Sequence, residues 1–347
     1  YILALALLKA GVGIIFPIYP SYLRQLGVDY LGINLINICF YLGIFIFDIP
    51  AGLFADHFGR KKAVIVGLAL RLSGFMLFYK ASHWMFFVLG ELLIGAGLAF
   101  FGSALQAWLV DGLTSLNKRE LKSKVFATEN LLSSLCIVIA SLICGQIVYL
   151  GYRFLYGVVM IIGLIAMIIL SFIMTEIKLQ DAPSAGEQKL QLPQLLEIKN
   201  VSPDFLKICL ISGVFFLSTQ GINLQWQLWA KSHGSSDSTI ANIFALSCVF
   251  SALAVGIKMS FLSRSNDKTQ TSWKLLLPSL IGLGIFIILP YFLPYNLALI
   301  TIVLQYWARG GAPVLCDIIA NDAIRNNSYR ATYLGIISSS KNIGAIS

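Results

Sequence analysis

Residues 48–62 read Asp48-Ile49-Pro50-Ala51-Gly52-Leu53-Phe54-Ala55-Asp56-His57-Phe58-Gly59-Arg60-Lys61-Lys62. An apolar run ends in an acid, a glycine and three consecutive bases. Gly52 and Gly59 suit a close helix approach and a tight turn, and Asp56 can face a helix N-terminus. The basic cluster has no place in hydrocarbon and belongs on one aqueous side. The stretch therefore reads as a short loop joining two membrane-spanning helices.

The flanking sequence obeys the same rule. A spanning helix needs about 20 mostly apolar residues, and eleven runs meet that requirement: 1–20, 32–55, 62–80, 84–112, 125–149, 153–175, 204–229, 239–262, 274–292, 296–322 and 330–347. Of the 347 residues, 58% are hydrophobic and 12% charged, where soluble domains carry about 25% charged residues. With a mean hydropathy of +0.82, the composition excludes a water-soluble domain. The run at the start has no basic leader and no small-residue cleavage site, so it reads as a span rather than a signal peptide. Tyr1 and Ser347 both fall inside apolar runs, and the expectation is a chain cut at both ends, with a twelfth helix truncated.

The net charge of +9 would suggest nucleic acid as a partner in a soluble protein, but here the bases lie in short loops. Sixteen of them, among them Arg60, Lys61, Lys62, Lys118, Arg119, Lys122 and Lys124, fall in one alternate set of loops. Only four, Arg24, Lys80, Arg153 and Lys231, fall in the other. The positive-inside rule makes the first set cytoplasmic and starts the chain inside. The expected location is the cytoplasmic (inner) membrane, with the lipid bilayer as partner and no nucleic acid. Six cysteines, all in apolar runs without CxxC spacing or a partnering histidine, argue against a disulfide framework, a metal site or a cofactor.

The longest polar stretch, 176–202, follows the sixth run. It divides the chain into an N-terminal bundle at 1–175, a cytoplasmic linker at 176–202 and a C-terminal bundle at 203–347. Residues 192–198 suit either a short amphipathic helix on the cytoplasmic face or a flexible linker.

The stretch at 48–62 resembles the signature of the major facilitator superfamily between its second and third helices, G-x-x-x-D-R-x-G-R-K, with His57 in place of the first arginine. Asp48-Ile49-Pro50-Ala51-Gly52 resembles the E-I-P-T-G variant of a branch rich in drug and metabolite (siderophore-type) exporters. Gly102-Ser103-Ala104-Leu105-Gln106-Ala107-Trp108-Leu109-Val110-Asp111 is similar to that branch's fourth-helix ending, with Gln106 where an acid is common. Arg309, Pro313, Asn321 and Arg330-Ala331-Thr332 resemble its tenth-helix pattern. The resemblance implies an all-α polytopic fold of two six-helix bundles related by a pseudo-two-fold axis. It implies that Asp56 docks on the eleventh helix and that Arg60 pairs with Asp111. With Gly52 and Gly59 these would form a cytoplasmic latch between the bundles; the other reading of the same residues is that they fix topology only. The equivalent loop of the second half, 260–274, has lost the glycine pattern, which argues against a second latch.

Ionisable groups at membrane depth cost several kcal/mol unless paired or hydrated, and are site candidates by default. They are Lys9, Asp48, Arg71, Glu91, Glu129, Arg309, Asp317 and Lys341, with Lys258 near enough to a helix end to snorkel. Depth arithmetic at about 1.5 Å per residue pairs Asp48 with Arg71, and Lys9 with Glu91. Glu91 and Gly95 stand where related proton-coupled antiporters carry R-x-x-x-G, so proton coupling is not inherited by motif. Glu91, Glu129 or Asp48 would have to load the proton. Lys9, Arg309 and Lys341 lie on helices that line the cavity in this family, and their charge favours anionic groups. Gln106, Gln220, Asn223 and Trp226 complete the substrate-binding candidates, whereas Trp226 and Trp229 also suit an aromatic belt at the outer interface.

The sequence therefore reads as a secondary transporter of a small amphiphilic, anionic or zwitterionic compound, acting as a monomer by alternating access in the direction of efflux. Proton-coupled uptake of an organic anion is the alternative, and a non-transporting membrane sensor is the alternative of another class. The only histidines, His57, His83 and His233, lie at loops, and no HExxH, GxSxG or P-loop is present. An enzyme or an ATP-driven pump is not expected.

Overall fold

The computed structural model describes residues 1–118, 121–175 and 203–323. The linker at 176–202 and the eleventh run at 330–347, with Arg330, Ala331, Thr332 and the candidate Lys341, lie outside the described residues. The chain divides into two units, Tyr1–Lys189 with Ser236–Asn242, and Leu190–Ser235 with Ile243–Ser347.

The first unit contains α1 (Ile2–Ile15), α2 (Tyr19–Gln25), α3 (Tyr30–Phe58), α4 (Arg60–Lys80), α5 (Trp84–Ser115), α6 (Lys122–Ile147) and α7 (Tyr152–Ile173). The second contains α8 (Pro203–Ser232), most of α9 (Asp237–Ser263), α10 (Lys268–Ile288), α11 (Tyr295–Arg309) and α12 (Ala312–Ala323). Among the described residues nine helices are long and apolar enough to span a membrane, and the bent pair α1–α2 makes a tenth. Large apolar side chains such as Phe172 (85% exposed) and Leu210 (70%) point outward, as a lipid-facing surface requires.

One expectation about the spans needs correction. The first span is not a straight helix over 1–20: it bends by 46° between Ile15 and Tyr19 and continues to Gln25. Pro17 lies within the break and Pro20 in the first turn of α2, and proline supplies no backbone donor. Gly52 serves no close approach to a described helix, because a Cβ added to it would meet nothing within 4 Å among the described residues. Close approach between described helices falls to other glycines. Gly43 of α3 lies against the Leu92 carbonyl of α5, and Gly67 of α4 lies against Gly97 of α5. Small residues of this kind let membrane helices pack backbone to backbone.

Within the first unit α5 packs against both α3 and α4, while α1 packs against α6 and α7. Buried Leu5, Leu8, Leu68, Phe101, Leu105 and Leu170 form a core between α1, α4, α5 and α7. In the second unit α10 packs on α11 and α12, and α12 on α8, around Ile208, Phe215, Leu276 and Leu315. Asp29 caps α3 by accepting from the Gly32 N–H at 2.7 Å, and Asp267 caps α10 by accepting from Gln270 at 2.9 Å.

Gly95 carries a direct test of this packing. A Cβ there would stand 2.1 Å from the Phe40 carbonyl oxygen of α3, so Gly95→Ala should force α3 and α5 apart at a cost of about 1–3 kcal/mol. Thermal unfolding in detergent should show the loss, and an unchanged midpoint would mean that α3 is free to shift.

Candidate functional site

The turn between α3 and α4 is made by Gly59, whose φ of +102° only glycine adopts without strain. Arg60 thereby becomes the first residue of α4, one turn beyond Asp56. Arg60 Nη1 meets Asp56 Oδ1 at 2.8 Å, and Arg60 Nε lies 3.7 Å from Asp111 Oδ2 near the end of α5. The expected Arg60–Asp111 pair is thus formed, with Asp56 as its second acid. The docking of Asp56 on an eleventh helix lies outside the described residues.

The interior charges of the first unit are not arranged as depth arithmetic predicts. Asp48 and Arg71 do not pair. Asp48 is exposed on α3, whereas Arg71 turns toward α5, with its guanidinium 5.4 Å from the Phe101 ring centre and 5.8 Å from that of Phe75. Its Nε is buried with no hydrogen-bond partner among the described residues. Lys9 and Glu91 do not pair either. Lys9 lies within electrostatic reach of Glu129 and Arg71, and Glu129 is buried and accepts from the Ser133 hydroxyl at 2.9 Å.

Glu91 is only 6% exposed. Its neighbours are the phenols of Tyr19 and Tyr156. The Tyr19 hydroxyl faces the Glu91 carboxyl without closing a hydrogen bond of standard geometry, and the Tyr156 hydroxyl is buried without a partner among the described residues. A buried acid beside two phenols, with no cation within 4 Å among the described residues, is a chemistry-bearing cluster. The sequence reading identified Glu91 but missed both tyrosines, which lie on apolar helices far apart in sequence. Gln106 is exposed on α5, away from this cluster's described members.

The first unit also holds a cavity of about 830 Å³, lined by Tyr22, Gln25, Tyr149, Tyr152, Arg153 and Asp237 among others. Asp237 accepts there from Ser21 at 2.8 Å and from Tyr152 at 2.5 Å. None of the sequence-predicted candidates among the described residues lines it.

The second unit brings three candidates together. Gln220, Asn223 and Arg309 line one cavity of about 340 Å³ with Thr219, Phe215, Phe216 and Val255. Arg309 donates to the Asn223 side-chain oxygen and stacks on Tyr306, with its guanidinium 3.6 Å from the ring centre. The tenth span breaks immediately after it, where Gly311 has φ +81°. Lys258 does not snorkel. Its ammonium turns inward and donates to the carbonyl oxygens of Ala308, at 2.9 Å, and Gly310, which have lost their helical partners at the break. Tyr306 is three residues before Arg309 and so shares its helix face, a signal the sequence contained.

Trp226 is corrected from the aromatic belt to the interior. It is 5% exposed and its indole N–H faces Tyr306 without a hydrogen bond of standard geometry. Trp229 does join a ring cluster with His233 and Tyr295, at 4.6 and 5.4 Å between centres. Asp317 lies on α12 outside the cavity lining.

Comparisons with known proteins bear on the family and the fold. A family model described as "Major Facilitator Superfamily" matches residues 1–347. Multidrug resistance protein 2 of Bacillus subtilis is 28% identical over 166 residues, which is 48% of this chain and 40% of that protein. The quinolone resistance protein NorA of Staphylococcus aureus is 25% identical over 224 residues, 61% of this chain and 54% of that protein. The matched stretches thus span about half or less of these two relatives. The nucleoside transporter NupG, as its D323A mutant, superposes with a TM-score of 0.80 at 14% identity, over 99% of this chain and 88% of that one. At that identity the likeness is one of fold.

Proposed function

The chain belongs to the Major Facilitator Superfamily, a family of multi-pass membrane transporters rather than enzymes, and on that premise we propose that it exports a small amphiphilic, anionic or zwitterionic compound by alternating access. It does so as a monomer in the inner membrane, with its N-terminus in the cytoplasm and two six-helix bundles joined by the 176–202 linker. Asp56, Gly59, Arg60 and Asp111 serve as its cytoplasmic latch. Gly52 belongs to the latch by motif alone.

The observation that carries the reading is that the interior charges are not consumed in static pairs. Lys9, Asp48, Arg71, Glu91, Glu129 and Arg309 make no ion pair within 4 Å to any described residue. Charges held at membrane depth without such partners are expensive, and transport is the use that explains their presence. A sensor would have no need of them. The proton couples at Glu91, where the two phenols provide hydrogen-bonding neighbours, with Glu129 and Asp48 as the other candidate carriers. Efflux is favoured by the names of the two resistance proteins above. Proton-coupled uptake of an organic anion is the second reading, supported by the cationic residues Lys9 and Arg309, which would serve entry equally well.

The test is a proteoliposome experiment with a pH-sensitive dye inside, offering anionic siderophore-type and cationic drug-type compounds in turn. The wild type should move protons with the anions, and Glu91→Gln should abolish that movement while keeping the wild-type unfolding temperature. Movement with cations alone would refute the charge preference. An unchanged response in the Glu91→Gln protein would remove Glu91 from coupling.

A further inference from the structure

We propose that the cavity at the break between α11 and α12 is a carboxylate subsite, in which Arg309 and the start of α12 grip the anionic end of the ligand. This inference rests on the transporter reading and names the group that the transported compound must carry. Two features converge on the cavity. The first is Arg309, a cation with no acid within 4 Å among the described residues. The guanidinium has five N–H donors in a rigid fork. Its bond to Asn223 and its stacking on Tyr306 fix the plane and leave donors to spare for a planar, bidentate acceptor.

The second feature is the break itself. α12 begins at Ala312 and runs for 12 residues, and Gly310, Gly311, Pro313 and Val314 all line the cavity. The Gly310 N–H is taken by the Tyr306 and Trp307 carbonyls, the Leu315 N–H by that of Gly311, and Pro313 has no N–H, so among the lining residues Gly311 and Val314 supply the N–H groups of the helix start, where the dipole favours an anion. Discontinuous membrane helices present such ends to anionic groups. Lys258 contributes a second positive charge at the same break, although its donors are held by the Ala308 and Gly310 carbonyls. Among the described residues, the charges at the break are those of Arg309 in the lining and Lys258 beside it, both positive.

The remaining walls set the ligand's shape. Phe215, Phe216 and Val255 are apolar, and Gln220 and Thr219 offer neutral polar atoms at one side. A volume of about 340 Å³ is at the small end of ligand cavities and suits a carboxylate on one or two fused rings. The amide of Asn223 accepts from Arg309 and acts as a positioning residue for the guanidinium.

The experiment is equilibrium binding of radiolabelled naphthalene-2-carboxylate, and of its uncharged methyl ester, to the full chain in proteoliposomes. The wild type should bind the acid at least about tenfold more tightly than the ester. Arg309→Gln should remove that preference, Arg309→Lys should keep part of it, and Asn223→Ala should weaken the acid but not the ester. Unfolding temperatures verify that each variant is folded; if Arg309→Gln is not, the Arg309→Lys and Asn223→Ala results decide. Equal binding of acid and ester by the wild type, absence of acid binding, or a preference that survives Arg309→Gln would overturn the subsite. Proton movement recorded in the same vesicles separates the two claims. A transporting protein with no acid preference sinks the subsite alone, and acid preference without transport of any compound sinks the transporter reading alone.

Discussion

Arg60→Ala is expected to slow transport roughly 10- to 100-fold, the size of a coupling energy between conformational states, while shifting the unfolding temperature by no more than about 4 °C. The asymmetry follows from where the ion triad sits. The side chains of Arg60, Asp56 and Asp111 are 30%, 45% and 21% exposed, and pairs of this exposure contribute only about 0–1 kcal/mol to stability. If these residues only fixed topology, their loss would matter little to a folded protein. If they hold the α3–α4 turn against the end of α5 in one state of the cycle, removing them slows the cycle without unfolding anything. Asp111→Asn should reproduce a milder version, because the 3.7 Å pair is the looser of the two. Initial rates of substrate uptake into everted vesicles, set beside unfolding curves, decide the matter. A fall in rate that merely follows a fall in unfolding temperature would leave the triad a structural feature.

The second large effect is on stability, at Lys258. Lys258→Met keeps the aliphatic length and removes the two bonds to Ala308 and Gly310. Each charge-assisted bond contributes about 1.5–3 kcal/mol, and of the two freed carbonyls the one of Gly310 belongs to a cavity-lining residue, so solvent there offsets part of its loss. Methionine offsets part of this, because no ammonium then has to be desolvated. The expected net loss is about 3 kcal/mol, with Lys258→Arg losing less. Denaturant unfolding should register it. A Lys258→Met protein more stable than the wild type would mean that desolvation outweighs the carbonyl bonds and that the cation is kept for another reason.

The ends of the spans were legible in the sequence because hydrocarbon thickness imposes a length on every helix and loops collect the bases. The bend at 15–19 and the break at Gly310-Gly311 also left marks, as proline and glycine pairs, but an apolar run reads as continuous when only its hydropathy is followed. The interior pairs were not legible for a geometric reason. Counting residues from a helix end gives depth and leaves the direction around the helix open. Asp48 and Arg71 share a depth, yet Arg71 turns onto α5, where Gly97 leaves room for its stem. For the second-unit cavity, Gln220, Asn223 and Arg309 were found because amides and a cation are rare in apolar runs. Tyr19, Tyr156 and Tyr306 were missed because tyrosine is common there and only the fold shows which phenols face an ion.

The break after Arg309 has an electrical consequence. α11 is 15 residues long, so at about 1.5 Å per residue Arg309 lies roughly 22 Å from the Tyr295 end, in hydrocarbon about 30 Å thick. With the Tyr295 end outward, an anion released from Arg309 to the exterior crosses roughly seven-tenths of the membrane voltage. At about 2.3 kcal/mol per charge per 100 mV, an inside-negative potential of that size assists the outward step by roughly 1.6 kcal/mol and opposes the inward one equally. On the proposed export of a singly charged anion, the position of one helix break thus sets how much of the membrane voltage acts on the release step.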